Sequence, residues 1–230
     1  MINGMLWIDR TGAPWRDLPE RYGKWSSVSS RFYRWQRAGI WQRILEALQQ
    51  QDHAVGQVNW DLHFIDGTVI RRHQHAAGGK KSTPQAEALG RSQGGFSTKL
   101  HVRVEGNGKL MTFLLTPGQQ HELTVAEQLV LQGSVHQARP GRPKRIVADK
   151  GYGSRKFRAF LRRQGIRLTI PHKCNEPHTG PFDRAIYRLR HRVECFINRL
   201  KQFRRVATRY EKRAHNYAAM VTLAAIFLWL

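Results

Sequence analysis

The chain has 230 residues, enough for one domain with an appended segment or for two small domains. Its 39 Lys and Arg against 16 Asp and Glu give a formal net charge of +23, which argues against an enzyme of small molecules and favours a polyanionic partner, most simply nucleic acid. Seven Trp and ten Phe interleave with the basic residues and exclude a disordered basic arm, although a ribosomal or RNA-binding protein has the same bulk composition.

The N-terminal part predicts loop followed by two helices. Gly and Pro punctuate residues 1–25 so often that loop and short turns are expected there. Helices are predicted from Ser27 to about Ala38 and from Ile40 to Gln50, and residues 49–56 are interpreted as a linker. The helix pair is equally typical of a helix-turn-helix that touches phosphate and of an ordinary helical hairpin.

Beyond this linker the pattern changes to strands and then to alternating helices and strands. Residues 71–95 form a polar, Gly-rich loop, long enough to be functional. The order strand, strand, strand, helix, strand, helix, strand, helix predicts an α/β mixed sheet flanked by helices, as in ribonuclease H-like domains. The predicted strands are 58–70, 98–105, 109–116, 145–149 and 167–170, and the predicted helices between them are 121–132 and 154–164.

Residues 181–205 carry the most informative pattern. Apolar residues recur there at steps of three and four, which predicts one long helix with a buried face. A second stripe lies one residue further along, about 100° around the helix, and places Glu194 between core and solvent. A surface Glu paired one turn away is the alternative interpretation. The second stripe consists of Tyr187, Arg190, Glu194 and Lys201.

Acids are scarce in this chain, so their positions are informative. Asp66 is predicted to end an apolar strand before Gly67, and Asp149 ends another before Lys150-Gly151. Each Asp taken singly is more typical of a turn, but together with Glu194 on a packed helix they predict a cluster of three carboxylates. In so basic a chain that cluster predicts a bound cation, and its hard oxygen ligands favour Mg²⁺ or Mn²⁺.

The termini and the cysteines indicate the compartment. The N-terminus lacks a signal peptide, and the apolar C-terminal run is too short to cross a bilayer, so it is predicted to be a buried helix. Cys174 and Cys195 are far apart and are expected to be free thiols in a reducing cytoplasm, the first inert in a loop and the second a small packing residue.

The residues of the long helix resemble a known family. The spacing Tyr187-x2-Arg190-x3-Glu194-x6-Lys201 is similar to the Tyr-Arg-Glu-Lys signature of bacterial insertion-sequence DDE transposases. The resemblance, closest to insertion sequence family five, runs over essentially the whole chain. Further matching segments are residues 12–19, 34–39, 66–78, 148–152 and 200–210.

This resemblance implies a DNA transposase. It implies a ribonuclease H-like DDE catalytic domain over residues 57–230 and a DNA-end-binding helical segment over residues 1–56. The triad Asp66, Asp149 and Glu194 would hold two Mg²⁺ or Mn²⁺ ions, for cleavage at element ends and transfer of the 3′-hydroxyl into target DNA. The residues expected to contact DNA are Tyr187, Arg190, Lys201, Arg204, Arg205, Lys150, His73 and His75.

The same resemblance implies the partners. These are double-stranded DNA, as terminal inverted repeats and as target, and a second copy of the chain on that DNA, in the bacterial cytoplasm at the nucleoid. The histidines His73 and His75 could instead bind zinc, but no Cys pair or acid accompanies them locally.

Two other functions fit the sequence: a truncated DNA-binding relic without catalysis, and a ribonuclease H-like nuclease that only hydrolyses. Similar proteins begin some tens of residues earlier. We therefore expect a shortened, alternatively started or frameshift-split product, which puts recognition of the element ends in question.

Overall fold

The computed structural model describes residues 1–76, 83, 86–92, 94–133, 142–172 and 182–230. Within these ranges a seven-stranded sheet carries helices on both faces. The strands are β1 (His63–Arg72), β2 (Gly90–Ser92), β3 (Gly95–Val104), β4 (Leu110–Pro117), β5 (Arg145–Val147), β6 (Arg167–Thr169) and β7 (Thr208–Arg209). The helices are α1 (Ile2–Thr11), α2 (Trp25–Arg37), α3 (Ile40–Ala54), α4 (Leu123–Leu131), α5 (Arg155–Arg163), α6 (Arg184–Arg188), α7 (His191–Lys201), α8 (Arg204–Ala207) and α9 (Ala214–Trp229).

The sheet is mixed, as predicted, and has the ribonuclease H-like order. β3 pairs antiparallel with β1, β2 and β4, whereas β5 pairs in parallel with both β1 and β6. The short β7 adds in parallel to the end of β1. The antiparallel half comes from a hairpin and the parallel half from strand–helix–strand connections, which is the order that the sequence predicts.

Side chains on the two faces of the sheet pack into two separate hydrophobic cores. Phe64 and Val147 join the larger core, which contains the N-terminal helices, α7 and α9. Ile65 and Ile146, one position away on the same strands, join the smaller core under α4 and α5. The long helix α9 is buried along most of its length in the larger core, as its apolar sequence predicts.

The prediction of loop over residues 1–25 is wrong for the first half, which forms α1. Met5 and Ile8 are fully buried on one face of this helix. Gly4 permits a close approach, because a Cβ there would lie 3.0 Å from the Cβ of Tyr22. Gly12 ends the helix with a φ of 73° and donates its N–H to the carbonyl of Ile8. These glycines therefore pack and cap a helix instead of excluding one.

The proposed linker at residues 49–56 is also largely helix, because α3 continues to Ala54. Gln49 is buried, and its Nε2 donates to the carbonyls of Leu110 and Met111 in β4. Gln49 lies one helical turn beyond buried Leu45, and its side chain attaches α3 to the edge of the sheet.

The single helix predicted over residues 181–205 is divided into α6, α7 and α8. At the first junction, Leu189 and Arg190 donate their N–H groups to carbonyls three residues back, a tighter turn than an α-helix. At the second, Phe203 is buried with an extended ψ of 102°. No Gly or Pro marks either junction, so the period of three to four continues through both.

Smaller corrections concern the strands and a cysteine. β1 runs on to Arg72, so Asp66 lies within a strand and not at its end. β2 lies inside the predicted loop at residues 71–95, and neither β2 nor β7 was expected. Cys195 is an exposed free thiol instead of a packing residue, and Cys174 lies outside the described residues. Among the helices that the structure describes, none has the length and apolar character needed to cross a bilayer.

Candidate active site

Two aspartates follow the point where β1 and β5 pair in parallel. Phe64 of β1 pairs with Val147 of β5. Asp66 lies two residues beyond Phe64 within β1, and Asp149 lies two residues beyond Val147, just after the end of β5. Because side chains alternate along a strand, the Asp66 carboxylate projects to the face of Phe64, which α7 covers.

Local hydrogen bonds fix one oxygen of each aspartate. Asp66 Oδ1 accepts from the N–H of Gly67 at 2.8 Å. Asp149 follows the last residue of β5 and caps a short 3₁₀ turn, where its Oδ1 accepts from the N–H of Gly151 at 2.8 Å.

Arg190 connects Asp66 to α7. One guanidinium nitrogen donates to Asp66 Oδ2 at 3.0 Å, and another donates to Glu194 Oε1 one helical turn away. One planar guanidinium therefore spans both carboxylates, which limits their separation to about 8 Å. The Asp66 side chain is 15% exposed and that of Glu194 is 47% exposed, so the site is open on the helix side.

Electrostatics show that the site has more acid than base. The pKa of Asp66 is raised, mainly by burial; the hydrogen bond from Gly67 and the charge of Arg190 oppose that rise, and the charges of Asp149 and Glu122 add to it. Burial lowers the pKa of Arg190, but the charges of Asp66 and Glu194 outweigh it and give a net rise. The acids of the site are Asp66, Asp149, Glu194 and Glu122, and its cations are Arg190 and Lys99.

A divalent cation fits this donor set. All four acids offer hard oxygen ligands, which Mg²⁺ and Mn²⁺ prefer, and they outnumber the cations beside them. Within the described ranges, however, no three acidic, His or Cys side chains already converge as a metal cluster. The guanidinium of Arg190 lies between Asp66 and Glu194 and donates to both.

Four of the residues expected to contact DNA are open to a ligand. Lys150 and Arg204 are exposed, whereas Tyr187 and Lys201 are half-buried. Tyr187 rests against Phe182 with ring centroids 5.2 Å apart. Burial lowers the pKa of the Lys201 ammonium. Lys150 directly follows Asp149 in the sequence. Tyr187 precedes Glu194, and Lys201 and Arg204 follow it.

Arg205 lies elsewhere and does not belong to this surface. Its side chain is 8% exposed; Nε donates to Glu211 Oε1 at 2.8 Å and another nitrogen donates to the carbonyl of Ala13 at 2.7 Å. These contacts assign Arg205 to the structure of the protein, so we remove it from the set of DNA contacts. Consecutive arginines in a helix face different directions, which the spacing alone did not resolve.

Of the two loop histidines, His73 does not lie at the triad. His73 follows β1, seven residues beyond Asp66, roughly 23 Å along an extended chain. The ring of His73 stacks on that of Tyr210 with centroids 4.8 Å apart, and the backbone N–H of His73 donates to the carbonyl of Arg209. The side chain of His75 lies outside what the structure describes.

The sequence analysis missed three residues of the site: Glu122, Lys99 and Tyr152. Tyr152 ends the matching segment 148–152, but no local pattern gives any of the three a role in the site, because their partners lie on other elements. A signal was present in the glycines that follow Asp66 and Asp149, because glycine beside a rigid strand indicates that another group approaches closely.

Comparisons with known proteins agree with this geometry. The family model described as "Transposase DDE domain" matches residues 61–229. A second model, "Putative transposase of IS4/5 family", matches residues 1–45. The first match includes all three residues of the predicted triad.

Individual relatives include two bacterial proteins. The "Putative transposase for insertion sequence element IS6501" of Brucella ovis is 32% identical over 139 residues, covering 59% of this chain and 99% of that protein. "Uncharacterized protein y4sN" of Sinorhizobium fredii is 38% identical over 81 residues, covering 35% of this chain and 60% of that protein. The catalytic domain of Mos1 mariner transposase aligns at 14% identity and a TM-score of 0.32, over 82% of this chain and 88% of that chain.

Proposed function

Since the chain belongs to the transposase DDE domain family, we propose that it cuts DNA at insertion-sequence ends and joins the freed 3′-hydroxyl to target DNA. One observation supports this most: Arg190 ties Glu194 to Asp66, and Asp149, just after β5, lies close enough for its charge to act on Asp66.

In this proposal the three carboxylates hold Mg²⁺ or Mn²⁺. Two such ions, when bound, activate an attacking water or 3′-hydroxyl and stabilise the leaving oxygen of a phosphodiester. Asp66 and Asp149 are held by the sheet and by their own backbone hydrogen bonds, so they form the rigid part of the site. Glu194, on a helix and more exposed, completes the set of oxygen ligands.

Arg190 has two successive tasks in this proposal. In the free protein it balances Asp66 and Glu194. When these acids have another cation, the guanidinium can turn to a DNA phosphate, for which its planar set of donors is well suited. Tyr187, Lys201 and Lys150 would position the same strand, with Arg204 further along.

DNA binding itself rests on the charge of the whole chain. A formal charge of +23 supports strong, largely sequence-independent attraction to duplex DNA. Each phosphate neutralised adds about 0.9 to the slope of log K against log salt. Because two element ends must be joined, we propose that two copies of the chain assemble on DNA.

The test is Mg²⁺-dependent cleavage of a labelled duplex that carries the element end, run beside a binding measurement. Asp149→Asn and Glu194→Gln keep side-chain size but remove a charged ligand, so cleavage should collapse while binding persists or tightens. Asp61→Asn is the matched control, because Asp61 is 73% exposed and pairs with Lys144 away from the triad.

The products separate the alternatives. Strand-transfer products support a transposase, and hydrolysis without them identifies a ribonuclease H-like nuclease. Binding without cleavage by the parent favours the non-catalytic relic. Cleavage by the Asp149 and Glu194 variants at the parental rate would remove the triad assignment.

A further inference from the structure

Glu122 lies directly before α4, on the face of the sheet opposite α7. Its Oε1 lies 2.9 Å from Lys99 Nζ, and the two side chains are only 17% and 15% exposed. Removing both charges from water costs desolvation free energy, so this ion pair differs from an ordinary surface pair. Its position beside the candidate active site requires a separate explanation.

Two glycines give Glu122 access to that site. A Cβ on Gly67 would lie 3.2 Å from Glu122 Oε1, and a Cβ on Gly151 would lie 2.9 Å from Glu122 Oε2. Neither glycine has a positive φ, so the backbone conformation does not require glycine at these positions. A side chain at either position would occupy the space that the Glu122 carboxylate fills.

The position of Gly151 also limits the distance between the carboxylates of Glu122 and Asp149. The Cβ position of Gly151 is 2.9 Å from Asp149 Oδ1 and 2.9 Å from Glu122 Oε2. The two carboxylate oxygens are therefore separated by no more than twice that distance. Two oxygens bound to one Mg²⁺ lie at most about 4.2 Å apart, so a rotation of the Glu122 side chain within this limit would let one cation bridge them.

Tyr152 provides an independent indication of a ligand. This side chain is fully buried, and within the described residues its hydroxyl has no hydrogen-bond partner. Burial and then the charges of Glu122, Asp66 and Asp149 raise its pKa well above the ordinary value, so the phenol keeps its proton. A buried donor without an acceptor is costly. An oxygen ligand or a water on a bound cation would supply that acceptor.

We infer that Glu122 is a fourth carboxylate of the divalent-cation site, beside Asp149, and that Lys99 balances its charge until Mg²⁺ or Mn²⁺ binds. The inference rests on the proposed function, because it extends the same metal site. It assigns Tyr152 as a positioning residue whose hydroxyl donates to the oxygen ligands of that cation.

The test is Mn²⁺ affinity measured without DNA, by electron paramagnetic resonance of the unbound ion. Glu122→Gln should weaken Mn²⁺ binding about tenfold or more. Lys99→Met should act in the opposite direction and tighten it, because it releases Glu122 from its partner. Glu127→Gln is the control on α4; Glu127 faces Lys156 at 3.9 Å and should leave the affinity unchanged.

Tyr152→Phe separates positioning from packing. The variant loses a hydroxyl that has no protein partner, so the metal-free protein should gain thermal stability. Its Mn²⁺ affinity should nevertheless fall. A gain in stability with unchanged Mn²⁺ affinity would show that Tyr152 only packs in the core and has no role at the cation site.

Asp149→Asn distinguishes this inference from the proposed function. Loss of Mn²⁺ binding in Asp149→Asn with parental affinity in Glu122→Gln would overturn the role of Glu122 and leave the triad intact. Parental affinity in both variants would overturn the triad as well. Thermal unfolding of each variant verifies that it is folded.

Discussion

The molecule contains two clusters of arginines and acids, and they are built differently. In the candidate active site, Arg190 donates only to the carboxylates of Asp66 and Glu194, and Glu194 is half exposed. A second group, which we call the terminal cluster, is enclosed between the N- and C-terminal parts of the chain. Its members are Asp9, Glu87, Arg205, Arg209 and Glu211.

Main-chain acceptors distinguish the terminal cluster. Arg209 is fully buried and donates to the carbonyls of Glu87, Glu211 and Lys212 and to Thr98 Oγ1. Arg205 likewise reaches the carbonyl of Ala13. Arginines saturated by backbone hold segments together, whereas an arginine shared between exposed acids can be replaced by another cation. Burial and backbone acceptors therefore mark Arg205 and Arg209 as structural, whereas shared carboxylate acceptors at an open site mark Arg190 as functional.

The largest expected effect is loss of stability in the terminal cluster. Arg209→Met removes a buried cation and leaves four acceptors without their donor, so it should cost about 3–5 kcal/mol of unfolding free energy. Urea unfolding measures this. The control Arg204→Met alters an exposed arginine nearby and should stay within about 0.5 kcal/mol of the parent. Equal effects of the two changes would mean that the terminal cluster is not structural.

The next effect depends on pH and concerns Asp9. Burial, and then the charge of Glu211, raise the pKa of Asp9 well above 3.8, and Arg205 opposes this rise. The native state therefore retains a proton that the unfolded state has lost, so stability falls as pH rises above about 4. Asp9→Asn removes this dependence. Relative to the variant, the parent should lose stability between pH 4 and pH 7 in thermal unfolding; parallel curves would contradict the assignment.

Arg190→Met should be milder than Arg209→Met, although the side-chain change is identical. The acids around Arg190 can reach water and ions, so we expect a loss of about 1 kcal/mol. Millimolar Mn²⁺ should restore that loss, since binding to the native state alone adds stability. In Arg209→Met the same Mn²⁺ should add only the stability that it adds to the parent, so the deficit of this variant relative to the parent should remain. Rescue of both variants, or of neither, would show that the two clusters do not differ as described.

Lys201→Ala should have the smallest effect. The change leaves every proposed metal ligand in place, so Mn²⁺ affinity and stability should remain near the parental values. Positioning of the DNA end should weaken, with a partial loss of cleavage rate. Single-turnover cleavage at saturating DNA measures that rate; complete loss would indicate that Lys201 takes part in the chemistry itself.

The sequence predicted the sheet well because its strands and helices after residue 57 carry strong local periodicity. It predicted Asp66 and Asp149 as a pair because both follow apolar strand residues, and β1 and β5 do pair in parallel just before them. Helix α1 was missed because glycine was interpreted as a breaker, although Gly4 and Gly12 serve packing and capping.

Features that depend on distant parts of the chain could not be predicted from local patterns. β7 exists only because it pairs with the end of β1. Arg205 has the same sequence neighbourhood as exposed Arg204, and only the fold buries one of them. Glu122 reaches the site through space left by Gly67 and Gly151, which lie on two other segments.

The most direct test of the central claim is cleavage of the polypeptide by hydroxyl radicals produced at Fe²⁺ bound in place of Mg²⁺. Radicals formed at the ion cut the nearest backbone, so the fragments report which residues surround the cation. We predict cuts close to residues 66, 149 and 194, all suppressed by excess Mg²⁺ and absent in Asp149→Asn. Cuts confined to other segments, such as that around His73, or cuts unchanged in the Asp149 variant, would contradict a metal site formed by Asp66, Asp149 and Glu194.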